Sequence, residues 1–331
     1  MLTEILEINE SSLKLSKKII LGGGAVAFPT ETVYGLGANA FDTAAVENIF
    51  KIKGRPNDNP LIVHVHKDYD ISNLVSYVPD YAVTLAQKFL PGPLTMVYKS
   101  MGVVSAAVSC GLDTLAIRIP SHSGAQKFLK YVDIPIAAPS ANISKHVSPT
   151  AAEHVFADLN GKIEVVLQGG RCAGGIESTV LDCTGDIPVI LRSGLVTREM
   201  IENTVGKCGE FVFKEGGTAR SPGMKYKHYS PDCPTMLFDF ADREKAFNEY
   251  KRLADGGINV CLLCDNATAE YARFAEVINL GSTEGEIAAN LYAGLRTGEN
   301  KYEYIIAVAP EKQDGAMAGV MNRLKKACGS K

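Results

Sequence analysis

KGRPNDNPLIVHVH, Lys53 to His66, joins a basic turn to a strand, and its reading sets the class of the fold. Lys53, Gly54 and Arg55 open it, a Pro/Asn/Asp turn follows, and LIVHV (61–65) leads to histidines at alternate positions. A strand alternates its side chains between two faces, so His64 and His66 share one. Lysine and arginine in a Gly/Pro loop at a strand end suit phosphate or carboxylate. A solvated basic turn before an edge strand is the plainer reading of the same residues.

Upstream, TAAVENIFKIK (43–53) is read as a helix with Ala45, Ile49 and Ile52 on one face, 12–22 as a short amphipathic helix, and GAVAFPT as a strand ending in a polar turn. Downstream, LTMVY (94–98), LAIRI (115–119) and PIAAP (135–139) are strands, with helices around 80–90, 122–131 and 150–159. The PGP at 91–93 stops a helix before LTMVY. STVLDC and PVILRSG are further strands joined by TGD. Strands that follow one another directly predict an α/β fold with a mixed sheet.

Residues 206–234 are rich in Gly, Pro, Lys and Tyr and have little periodicity. They read as a linker, and Lys225, Lys227, the PGM turn and HYSP (228–231) make it a candidate active-site lid. Beyond it, strands near 235–239, 258–264, 276–280 and 303–308 alternate with helices near 241–254, 266–273, 283–296 and 315–328. That pattern predicts a small Rossmann-like parallel α/β domain over 235–331, after a larger domain over 1–205.

A chain of 331 residues exceeds what one core usually serves, in keeping with two domains. With a formal charge of -3, a nucleic-acid role would have to rest on a local basic patch. The eight cysteines are dispersed; only Cys261 and Cys264 form a CxxC, inside NVCLLCD, which reads as a buried strand without the further ligands zinc needs. MLTEILEINE has no apolar signal core and no apolar run approaches the roughly 18 residues of a membrane span. A soluble protein of the reducing cytoplasm is expected.

FPTETVYGLGANA (28–40) sets Thr30, Glu31, Thr32 and Tyr34 directly after a strand, where a small polar ligand fits. GLGANA is too short for a dinucleotide fingerprint, and no GxxxxGK[ST] occurs. Arg118 alternates with apolar residues in LAIRIP, a costly position unless the charge is paired, liganded by a carboxylate, or escapes at a sheet edge. In APSANISKHVSPT (138–150), Ser140, Asn142, Ser144 and Ser148 precede a helix and suit phosphate or nucleotide; Ser148 or Thr150 could instead be its N-cap. GGRCAGGIESTVLDC (169–183) is either a ligand-approaching glycine loop into Glu177, Ser178 and Thr179 or a hairpin connection. Arg192 follows a strand as Arg118 does. Cations and hydroxyls without a Ser-His-Asp order, HExxH or paired carboxylates favour aligning anionic substrates over covalent or metal-ligated chemistry.

PTETVYGLG, KGRPNDNPLIVHV, FLPGPLT, AIRIP, APSAN and IESTVLD, in this order, resemble the YrdC-like domain. SPGMKYKHYSP and a small α/β domain ending in GVMNRLKKA resemble its longer two-domain form, the threonylcarbamoyl-AMP synthases. The resemblance implies a YrdC-like twisted mixed sheet with flanking helices in 1–205, and an enzyme that condenses L-threonine, bicarbonate and ATP to threonylcarbamoyl-AMP and pyrophosphate. A separate complex would then modify the tRNA adenosine beside the anticodon, with at most weak direct tRNA contact and no membrane involved. It assigns Thr32, His64, Arg118 and Ser178 to threonine. Arg55, Asn59, Thr114, Ser140, Asn142, Ser148 and Arg192 go to the nucleotide, with Tyr229 reaching in from the linker. No side-chain contact is expected at Ala138, where some members carry a hydroxyl residue. Lys53 and Arg55, with Mg²⁺ brought by ATP, would stabilise the developing phosphate charge, without a covalent nucleophile or a tightly held protein metal. His64 is a substrate contact and His66 structural. An RNA-binding module in tRNA or rRNA maturation is the rival, disfavoured by the acidic balance, the absence of Trp and the lack of stacking motifs. A carbamoyltransferase would bring acylphosphatase or zinc-finger-like segments, which are missing.

Overall fold

The structure, a computed structural model, describes residues 2–211 and 229–329. It divides into two units: one of 2–144, 149–173 and 177–211, the other of 145–148, 174–176 and 229–329.

The first unit runs β1 (Glu4–Glu7), α1 (Glu10–Leu21), β2 (Val26–Phe28), β3 (Gly35–Asn39), α2 (Thr43–Lys53), β4 (Ile62–His64), α3 (Asp80–Phe89), β5 (Leu94–Lys99) and α4 (Ala106–Ser109). It continues with β6 (Thr114–Arg118), α5 (Ser123–Val132), β7 (Ile136–Ala138), α6 (Ala152–Leu159), β8 (Val165–Gln168), β9 (Thr179–Asp182), β10 (Val189–Arg192), α7 (Arg198–Val205) and β11 (Gly209–Glu210). The strands form one sheet in the order β1-β8-β2-β3-β7-β4-β6-β5-β9-β10-β11. Parallel pairs such as β4–β6 and β5–β9 mix with antiparallel pairs such as β2–β3 and β5–β6, as the consecutive strands predicted.

β4 is no edge strand. It lies between β7 and β6, and β6 between β4 and β5, so Arg118 has no route to solvent along a sheet edge. One face of the sheet carries the main core, where Val63, Met96, Ile117, Ala137 and Leu181 meet residues of α2, α3, α6 and α7. On the other face Val26, Phe28, Ile136 and Ala138 pack against α1 and α5. Farther along that face a small cluster of Ile62, Val97, Ala116, Val180 and Leu191 remains.

Local chemistry fixes the boundaries. Asp42 caps α2 by accepting from the Ala44 and Ala45 amides, and Gly54 ends the helix at φ +58°, a conformation that favours glycine. The basic turn therefore starts from a helix end. At α6 the plainer reading of Ser148 or Thr150 as a cap fails: Ala151 is the N-cap, without a side-chain cap.

The second unit runs β12 (Thr235–Phe238), α8 (Arg243–Asp255), β13 (Val260–Cys264), α9 (Asn266–Tyr271), β14 (Val277–Asn279), α10 (Glu284–Lys301), β15 (Tyr304–Val308) and α11 (Ala316–Ala327). Its four strands are parallel in the order β12-β15-β13-β14. Cys261 and Cys264 are buried in β13, and burial pushes both thiols up to about 12, which suits inert core residues. Gly175, at φ +66°, passes so close to α10 that an added Cβ would lie 2.2 Å from the Ala288 carbonyl oxygen. That glycine serves helix packing. Of the proposed lid, Lys225, Lys227 and His228 lie outside the described residues. Among the described residues no helix is long and apolar enough to cross a membrane.

Gly37 of β3 faces Phe28 and Ile136; an added Cβ would lie 2.6 Å from Ile136 Cγ2 and 2.9 Å from Phe28 Cε1. Gly37→Ala is predicted to lower stability by about 1–3 kcal/mol in urea unfolding. An unchanged midpoint would mean that this face has slack.

Candidate active site

His64, Arg118 and Thr95 are in-register neighbours on β4, β6 and β5. Registered partners project to the same face, so three polar side chains, each at most 4% exposed, stand side by side in the sheet. Burial on this scale is costly unless each group is satisfied.

Arg118 is satisfied first by Glu31. Its Nη2 donates to Glu31 Oε1 at 2.7 Å, while Glu31 Oε2 accepts from the Ser121 amide at 3.0 Å. Glu31 reaches it from the loop between β2 and β3, which is held by Thr30 Oγ1 donating to the Val33 carbonyl at 2.6 Å. With that proton spent, Thr32 Oγ1 donates to Thr30 Oγ1 at 2.9 Å. Burial alone would raise the Glu31 carboxyl pKa; the Arg118 charge and the hydrogen bonds outweigh it and leave it lowered. Arg118 Nε is buried and has no hydrogen-bond partner.

His64 Nδ1 lies 3.0 Å from the Ile62 carbonyl. A carbonyl only accepts, so Nδ1 holds the proton and Nε2 a lone pair. Burial, then the Arg118 charge, push the imidazole pKa down to about 3, and Phe28 supports the ring edge-on at 5.7 Å. His66 differs: it accepts from the Asp68 amide through Nδ1, pairs with Asp133 through Nε2 at 3.0 Å and packs on Tyr69.

Ser178, just before β9, lies with its Oγ 2.7 Å from Thr95 Oγ1. Arg192 clamps it, donating from Nη2 to Ser178 Oγ at 3.2 Å and from Nε and Nη2 to the Ser178 carbonyl at 3.1 and 3.0 Å. Thus Arg118, His64 and the Ser178 pair gather at one end of the sheet face, and Thr32 supports the loop that brings Glu31.

On the nucleotide side, Arg55 Nη2 donates to the Asn59 carbonyl at 2.6 Å, and its guanidinium lies over the Phe50 ring. The Asn59 side chain is buried with neither amide atom partnered. Thr114 shares the face of Arg118 at the other end of β6. Ser140 Oγ donates to Asn142 Oδ1. Lys53 is fully engaged: its ammonium donates to the carbonyls of Ser140 and Asn142 and to Asn142 Oδ1. Burial and the Arg55 charge hold the Lys53 pKa well below the usual lysine range, against the pull of Asp158. In this arrangement Lys53 ties down the SAN turn. Ser148 and Tyr229 belong to the second unit, where the Tyr229 ring stacks on Tyr292 at 5.3 Å.

Sequence reasoning missed Thr95. Its signal was a threonine among the apolar side chains of LTMVY, which alternation sets on the face of Val97. It named Glu31 but not its partner.

Residues 18–194 match the Sua5–YciO–YrdC family, described as "Telomere recombination", and residues 196–329 match the C-terminal domain of threonylcarbamoyl-AMP synthase. The chain belongs to the threonylcarbamoyl-AMP synthase family. The synthase of Pyrococcus abyssi is 42% identical over 97% of this chain and 95% of its own length, and that of Bacillus subtilis 40% over 99% and 96%. The crystal structure of P. abyssi Sua5 complexed with L-threonine, 41% identical, matches with a TM-score of 0.92 over 99% of this chain and 98% of that one. The family is one of enzymes.

Because the Glu31 pKa is lowered in the folded state, its ionisation contributes stability above the ordinary carboxylate pKa near 4.5, lost as pH falls below that value. Glu31→Gln is predicted to remove this part of the acid loss. At pH 7 it should cost about 3–5 kcal/mol, because the Arg118 charge is left buried without its partner. Chemical denaturation of both proteins from pH 3 to 7 measures this; parallel curves would contradict the pairing.

Proposed function

We propose that this chain condenses L-threonine, bicarbonate and ATP to threonylcarbamoyl-AMP and pyrophosphate, and that a separate complex uses the product to modify tRNA beside the anticodon. The carrying observation is Arg118. It is buried, charge-balanced by Glu31, aligned with His64 and Thr95, and has an unspent Nε–H. Such a group favours a carboxylate, here that of threonine.

In this reading the neutral His64 accepts through Nε2 from a threonine O–H or N–H, and Thr32 and Ser178 complete the amino-acid subsite. The threonine amine and bicarbonate give a carbamate and water. A carbamate oxygen then bonds to the α-phosphorus of ATP as the bond to the β-phosphate bridging oxygen breaks, releasing pyrophosphate. Arg55, Asn59, Thr114, Ser140, Asn142, Ser148 and Arg192 bind the nucleotide, with Tyr229 as a further contact. Lys53 organises the Ser140–Asn142 turn and adds positive charge beside it, so that Lys53 and Arg55 together stabilise the phosphate charge. The unpartnered Asn59 amide oxygen and the Ser140 hydroxyl are hard-oxygen donors of the kind Mg²⁺ takes, and such an ion carried on the triphosphate would neutralise phosphate charge. A catalytic domain over 1–205, a lid over 206–234 and a C-terminal domain over 235–331 form the working division, in the cytoplasm.

Pyrophosphate release from ATP should require threonine and bicarbonate together; ATP turnover indifferent to threonine would overturn the reading. Arg118→Lys keeps a charge for Glu31 but loses the guanidinium fork, and should raise the KM for threonine about tenfold or more while moving that for ATP far less.

A further inference from the structure

LTMVY places a hydroxyl where an aliphatic residue would pack, and Thr95 is completely buried. Alternation in β9 explains what it meets. Thr179 turns to one face and donates to the Val196 carbonyl at 2.7 Å, so Ser178 turns to the other, against Thr95.

The proton count leaves one hydroxyl proton unspent. Thr95 and Ser178 have one hydroxyl proton each, and a single hydrogen bond joins them. The third partner is Arg192, which only donates. Either hydroxyl can donate in that bond, and one of the two protons is left over; among the described residues Thr95 Oγ1 has no partner besides Ser178. With Thr95 as the donor, Ser178 Oγ accepts twice, from Thr95 and from Arg192, and its own O–H is left for a ligand. Arg118, the in-register neighbour of Thr95, also has an unspent Nε–H.

We propose that Thr95 is a positioning residue for the amino-acid subsite: with Arg192 it fills the lone pairs of Ser178 Oγ and so fixes that hydroxyl as a donor. Together with Arg118 Nε–H, Ser178 offers a two-donor seat to the threonine carboxylate. Arg192, assigned to the nucleotide, takes part in the same arrangement, so the two substrates share one hydrogen-bond chain. The inference rests on the proposed function above.

The test is threonine-dependent pyrophosphate release by the full chain with Thr95→Val, which keeps the shape and removes the hydroxyl, and with Thr95→Ser, which restores it. Thr95→Val should raise the KM for threonine roughly 10- to 100-fold, as expected for a lost hydrogen bond to a charged group, with the KM for ATP within about threefold. Thr95→Ser should recover most of that loss. In a Ser178→Ala background Thr95→Val should have little further effect. Threoninamide, which lacks the carboxylate, should lose less affinity on Thr95→Val than threonine does. An unchanged KM for threonine, equal rises for both substrates, or failure of Thr95→Ser to rescue would overturn the role of Thr95. If Thr95→Val does not fold, Thr95→Ser and Thr95→Cys decide the question by the same KM comparison, the weaker thiol donor being expected to raise the threonine KM. A wild-type chain without threonine-dependent release would instead overturn the proposed function.

Discussion

The buried ion pair between Arg118 and Glu31 constrains the rest of the candidate site. Arg118 sits on an interior strand, where an uncompensated charge would cost several kcal/mol. A hydrophobic pair of similar size would serve stability as well or better. What the ion pair adds is a guanidinium held in one orientation with a donor unspent. Two features follow from it. The loop between β2 and β3 must bring a carboxylate back over the sheet, which the Thr30 and Thr32 hydroxyls accomplish by locking its backbone. His64, buried and next to a fixed cation, is kept neutral and therefore has an acceptor nitrogen.

The sheet face gives these groups their setting. Helices α1 and α5 cover β2 and β7, with Phe28 and Phe128 in contact at 5.2 Å, and the polar row begins where that layer ends, with His64 against Phe28. Beyond the row the face turns apolar again at Ile62, Ala116 and Val97. One face of β6 thus carries Thr114, Ala116 and Arg118 in succession, a surface that can take a ligand with a polar and an apolar part.

Much of this was legible in the sequence. The strands LTMVY and LAIRI, the helix over 43–53 and the alternating C-terminal pattern were written in β-branched runs, helical periodicity and turn residues. Alternation also marked Arg118 and His64. β3 was missed because GLGAN has no strand propensity: Gly37 is required by Phe28 and Ile136, a contact visible only once the sheet is paired. β1 and β8 were missed because each has four residues and they pair with one another across some 160 positions. The Glu31 partner lies 87 residues away, and no local pattern encodes it. Nor can a sequence show that Lys53 ties down the backbone carbonyls of a turn some 90 residues away. His64 and His66 looked equivalent by alternation, and separated only because β4 ends at His64 and Asp133 captures His66.

A crystal structure of this chain with L-threonine tests the role of Arg118 directly. The carboxylate is expected within hydrogen-bond distance of Arg118 Nε and Ser178 Oγ, with the Glu31–Arg118 pair intact. A carboxylate bound elsewhere, or a threonine that displaces Glu31 from Arg118, would contradict it.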